Sequence, residues 1–245
     1  MPLKNPAPEV VQRIYDQLSE QYRSLITASS PDYAPAHPCS DERAEIERLN
    51  TAPFASDPAT TLRPARLMVV SMKPYGAPGR SYPAGEEERA EKPGYHRWYD
   101  GNKANGNFVR EADRLLRGIL ALLKSDADVR EVFSTYAYFF RAADAKQLKR
   151  FGLERIDCSA YHRLFLAEIA PEVILCIGNG PAPSAFALYR ELLRPAAVTE
   201  RSPAPRVKMR AFRENGRLVI GVPHLSYVRA EQLLPSVREI LGSGS

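Results

Sequence analysis

The chain has 245 residues, of which 44% are hydrophobic and 26% charged, a balance ordinary for a soluble globular protein with a sizeable core. No apolar run approaches the roughly 18 residues a membrane span needs, so a membrane-crossing protein is excluded from the reading. The formal net charge of +5 permits a polyanionic partner without requiring one.

Residues 8–28 place Val10, Val11, Ile14, Leu18, Tyr22 and Leu25 at the spacing of an amphipathic helix. Pro31, Pro35 and Pro38 break the chain, and Ser40-Asp41-Glu42 looks like the cap of a short second helix. Residues 51–66 read as loop. The apolar run Leu67-Met68-Val69-Val70 then stops at Ser71-Met72-Lys73-Pro74-Tyr75-Gly76, the pattern of a buried strand feeding a loop. A polar stretch over 76–106 follows, holding the aromatic and basic cluster Tyr95-His96-Arg97-Trp98-Tyr99. That cluster suits stacking on bases, and it suits equally the pinning of a long loop to its own domain.

A strongly periodic helix is expected over 107–124, and Val132 to Phe140 reads as a second strand, β-branched and aromatic. A helix over about 155–170 leads to Pro171 and to a third strand, Val173 to Gly178. Residues 182–193 are helical, and a basic strand covers about 206–212. The Asn215-Gly216 turn precedes a strand from Leu218 to Val222. A final helix covers about 229–241, and Gly242 to Ser245 reads as a flexible end. Strands alternating with helices imply a three-layer α/β/α sandwich around a central, mostly parallel sheet. Residues 1–60 form a helical extension and 61–242 the α/β domain, together one structural unit.

Cys39, Cys158 and Cys176 are far apart and odd in number, which suits reduced thiols. The start of the chain lacks the layout of a secretory signal, so a cytoplasmic protein is expected. No CxxC pair or His-rich cluster points to a structural zinc site, and neither metal nor cofactor is expected. The cations from Arg201 through Arg206, Lys208 and Arg210 to Arg213 fit a polyanion, and they fit a solvated face as well.

If the sheet is parallel, three strand ends carry polar side chains to one edge: Lys73-Pro74-Tyr75, Thr135-Tyr136 and Pro223-His224-Leu225-Ser226. The Gly178-Asn179-Gly180 turn joins them, and exposed amides there would favour an anion. Neither a Walker pattern, nor GxGxxG, nor GxSxG is present.

Across residues 65–240 the order of these motifs resembles the uracil-DNA glycosylase superfamily. The strand and loop Val69 to Gly76 are similar to its first motif, an apolar strand followed by Gly-Met-Asn-Pro-Gly or Gly-Glu-Ala-Pro-Gly. The helix from Gly106 to Leu116 resembles the helix that follows. Ser134-Thr135-Tyr136 and Arg141 fall where one branch has Thr-Asn and a later Arg. The run from Cys158 through Phe165, Ile169 and Pro171 to Gly178 resembles its Cys-x-x-Phe-Leu, Ile-x-x-x-x-Pro and strand-Gly pattern. His224-Leu225-Ser226 stands where the family has His-Pro-Ser.

The resemblance implies a protein that extrudes a base from DNA and cleaves its glycosidic bond. On it, His224 stabilises the departing base, while Met72, Tyr75 and Tyr136 border the base. Ser226, Arg229, Asn179 and Arg80 become DNA contacts, and a monomer is the expected state. Lys73 occupies the place of the family's water-activating residue; protonated, it is no base, but a desolvated lysine is a nucleophile able to attack the sugar. Tyr136 replaces an Asn that reads uracil through paired amide bonds. An iron–sulfur cluster needs four cysteines, and Phe140 stands where one ligand would be. The expected activity is therefore excision of a modified base, with an inactive DNA- or nucleotide-binding module of the same fold as the alternative.

Overall fold

A computed structural model of the chain describes residues 8–26, 50–76, 79–81 and 106–243. The short helix at Ser40, the Tyr95–Tyr99 cluster, Cys39, His37 and most of the 76–106 stretch lie outside the described residues.

Among the described residues the order starts with α1 (Pro8–Ile26) and the single turn α2 (Pro58–Thr61), whose N-cap Asp57 accepts from the Ala59 N–H. It continues with β1 (Leu67–Ser71), α3 (Gly106–Leu122), β2 (Phe133–Tyr136), α4 (Ala145–Arg150), α5 (Ser159–Ile169) and β3 (Val173–Ile177). Helix α6 (Ala185–Leu193), strands β4 (Thr199–Ala204), β5 (Val207–Glu214) and β6 (Arg217–Val222), and α7 (Ala230–Gly242) complete it. No described helix is long and apolar enough to cross a membrane.

The six described strands form one mixed sheet in the order β2-β1-β3-β6-β5-β4. Strands β2, β1, β3 and β6 run parallel, and their last residues share a register row: Ser71 pairs with Tyr136 and Ile177, and Ile177 pairs with Val222. Strands β5 and β4 return antiparallel, so the β4–β5 turn lies at the same edge as the carboxyl ends of the parallel strands.

Side-chain alternation splits the core into two layers of packing, as a strand's period of two requires. Leu67 and Val69 of β1 join Leu175 and Ile177 of β3 under α3 and α7; Met68, Val70, Ile174 and Cys176 face α1, α5 and α6. Both faces being covered explains why β1 and β3 are continuous apolar runs. The α/β three-layer expectation agrees with this architecture. Helix α1 shares the second core: Val11, Ile14 and Leu18 are buried, and Tyr15 meets Phe54 edge-on at 5.6 Å.

Two expectations need correction, and two further elements lie outside the sequence expectations. The second strand ends at Tyr136 instead of Phe140, although Ala137 and Tyr138 still donate to Ser71, the last residue of β1, and to Met72 in the loop beyond it. Phe139 and Phe140 are apolar because they are buried, not because they lie in a strand. Residues 51–56 are not free loop, since Ala52, Ala55 and Ser56 donate to Phe139 and Ser134 and so cover the outer edge of β2. The polar edge strand β4 and the short helix α4 were absent from the sequence reading.

Two features position the α3–α7 face. A Cβ on Gly118 would lie 2.4 Å from Leu234 Cδ2, so the glycine permits the close approach of α3 to α7. Glu111, only 4% exposed, accepts from the Ala230 N–H at 3.0 Å and from Arg114 at 3.1 Å, joining the start of α3 to the first turn of α7.

Candidate functional site

The parallel strands deliver their loops to one cavity of about 490 Å³ at the carboxyl edge of the sheet. Ser71, Met72, Lys73 and Tyr75 come from the end of β1, Tyr136 from β2, Ile177 from β3 and His224 from the segment after β6. Phe108 and Val109, in the first turns of α3, and Ala143 close it. The structure therefore brings together five of the residues singled out in the sequence: Lys73, His224, Met72, Tyr75 and Tyr136.

Lys73 is half-buried, and its Nζ donates to the backbone carbonyls of Ala142 and, at 3.5 Å, Pro74. The same nitrogen lies 5.9 Å from the centre of the Tyr75 ring. Burial pushes its pKa down from 10.5 to about 8, against an opposing pull from Asp144. Among the described residues, no Asp or Glu lines the cavity.

His224 stands at the rim with its ring 4.9 Å from that of Phe108, tilted by 32°. Its Nδ1 accepts from the Ser226 N–H at 3.4 Å. The desolvation imposed by its neighbours, and then the charge of Lys73, lower its pKa below the usual 6.5. The ring is therefore neutral at pH 7. With Nδ1 accepting, the proton of the neutral ring sits on Nε2, making that atom a hydrogen-bond donor.

Gly178 ends β3 with φ +110°, a conformation L residues rarely adopt. It brings the Asn179 turn across to β6 and β5, where the Asn179 amide donates to the carbonyls of Gly221 at 3.2 Å and Lys208. That side chain braces the sheet edge. The helix N-terminus beyond it is filled by Ser184, whose Oγ accepts from the Ala187 N–H. Ser226, Arg229 and Arg80 are exposed, and like Asn179 they lie outside the cavity wall. Arg229 leads into α7, its N–H donating to Gln232.

Three residues near the site escaped the sequence reading. Phe108 and Val109 read simply as helix apolar positions. Tyr227, 87% exposed with its ring 5.8 Å from that of His224, lay just past the motif that ended at Ser226. The available signal was position: Phe108 opens the helix that follows the first loop.

Arg206 occupies the β4–β5 turn, at the cavity edge of the sheet, with Lys208 and Arg210 close by on β5. Glu200 pairs with Lys208 at 2.6 Å and Arg210 at 3.3 Å, so part of this positive charge is compensated. Among the described residues, no group of three His, Cys, Asp or Glu is placed to hold a metal ion.

No protein-family model matches this chain, and no curated protein does either.

Proposed function

We propose that the protein is a divergent member of the uracil-DNA glycosylase superfamily that takes an extruded, modified base into the cavity and releases it from DNA. The observation that carries this reading is the convergence of Lys73, Tyr136 and His224, from three separate strand ends, on one concave site. A volume of about 490 Å³ lies within the range of small-molecule pockets.

The chemistry follows from the groups present. Breaking a glycosidic bond leaves negative charge on the departing base, and a fixed donor aimed at that charge lowers the barrier. The neutral His224 is such a donor through Nε2. Phe108 offers a ring face for a flat ligand, and Tyr136 and Met72 border it. The exposed rings of Tyr75 and Tyr227 supply stacking surfaces at the mouth for neighbouring bases. Arg206 and Ser226 lie at the same edge, where phosphates would pass.

A second reading rests on one observation: the described lining carries no carboxylate to activate water. On this reading the fold binds DNA or a nucleotide and performs no excision. Incubation with single- and double-stranded oligonucleotides bearing uracil and modified bases separates the two. Free base by mass spectrometry, with matching alkali-labile sites, is the expected result. Salt-dependent binding with no base released from any substrate would establish the binding module.

A further inference from the structure

The cavity poses a chemical problem that Lys73 resolves. A hydrolytic glycosylase needs a group that takes a proton from water, and the described wall offers no carboxylate, only the cation of Lys73. A lysine nitrogen has four tetrahedral positions, one used by its own side chain. Here two more are directed by hydrogen bonds to the Ala142 and Pro74 carbonyls. A neutral amine keeps two N–H bonds, so both carbonyls remain satisfied and the fourth position becomes the lone pair. The carbonyl pair can be satisfied by the amine, and no carboxylate among the described residues forms an ion pair with Nζ, so the charge of Asp144 is the one influence that favours the ammonium against burial.

We infer that Lys73 is a covalent nucleophile, and that base release proceeds through an imine between its Nζ and C1′ of the sugar. This rests on the base-excision reading and supplies its missing first step. The amine lone pair forms the N–C1′ bond as the glycosidic bond breaks, and the bonding electrons leave with the base. His224 Nε2–H holds the base as an anion until a proton lost by the attacking nitrogen neutralises it. The nitrogen then expels O4′, which takes a proton from water, giving a protonated imine. Water adds to C1′, the amine leaves, and an abasic sugar remains. Burial of Nζ favours the uncharged amine that the attack requires.

The experiment uses an oligonucleotide carrying a preformed abasic site, so that base recognition plays no part. Wild-type protein is incubated with it in cyanoborohydride, and the reduced adduct is mapped by peptide mass spectrometry. The expected result is a DNA–protein adduct on Lys73, lost in K73R and K73Q and retained in K149R, a control at an exposed lysine of α4. Binding of the oligonucleotide by K73R, measured without reductant, establishes that the loss is chemical. Mapping the adduct on wild-type protein needs no variant to fold. An adduct on other lysines, or none although the DNA is bound, would overturn the assignment. If the protein does not bind DNA, the glycosylase reading falls and a second arm decides the lysine chemistry. Reductive labelling with 2-deoxyribose 5-phosphate concentrated at Lys73 supports it; labelling spread over the exposed lysines alone removes it.

Discussion

His162 and His224 occupy matched aromatic settings in different regions of the molecule. Each ring is tilted by 32° to a phenylalanine, Phe139 at 5.4 Å for the first and Phe108 at 4.9 Å for the second. Each is held in its neutral form below the ordinary histidine range, chiefly by desolvation. The hydrogen bonds differ. In the core, His162 Nε2 donates to the Ala137 carbonyl at 3.2 Å and Nδ1 accepts from the Tyr189 hydroxyl at 3.1 Å, so both nitrogens are used within the protein. At the rim, Nδ1 of His224 is oriented by the Ser226 N–H, and Nε2 is the atom assigned to a ligand. Stacking and neutrality are therefore common to both rings, and the proposal for His224 rests on the different use of its two nitrogens.

The largest test of this contrast is His224→Ala. Base release should fall by about 10²–10³-fold, the loss typical of removing one preorganised donor, while the melting temperature stays close to wild type because the ring is exposed. A similar loss of stability would break the distinction between the two residues. Single-turnover kinetics and thermal melts together measure it.

His162 should report in stability instead. Its pKa is near 6.5 when unfolded and pushed down to about 4 in the fold by burial, so the unfolded chain binds the extra proton first. Stability is complete above about pH 6.5, declines as the pH falls towards 4, and changes no further from this group below that. The loss should reach about 3 kcal/mol, read by denaturant unfolding across the series. A curve that is flat between pH 6.5 and 4 would place His162 in a wetter setting than its two hydrogen bonds imply.

The smallest effect belongs to Phe108→Ala. Loss of a stacking face costs about 1–3 kcal/mol, so substrate affinity should weaken roughly 5- to 150-fold with little change in the maximal rate. Titration of an oligonucleotide against the variant measures this. Unchanged affinity would mean that the ring serves only to orient His224.

These residues also show what the sequence made legible. Strands β1 and β3 were readable because both faces are buried, leaving no polar alternation to interpret. Strand β4, Thr-Glu-Arg-Ser-Pro-Ala, is an exposed edge with a polar pattern, and its strand character comes only from pairing with β5. The candidate cavity was legible where polar residues follow apolar strands, as at Lys73, Tyr136 and His224. It was hidden at Phe108, because an apolar residue on an amphipathic helix is first explained by the core. Asn179 shows the converse: polar and placed at the right edge, its amide is spent on carbonyls of its own sheet.

Glu111 gives the cavity one further property. By holding the α7 backbone from the start of α3, it ties the helix that bears Phe108 to the segment that follows His224. The contact lies outside the wall of the cavity. The two rings thus meet an incoming ligand as one finished surface, erected during folding. On the proposed reading, a base entering the cavity would not have to order that wall, and the entropy of arranging it would not be subtracted from affinity.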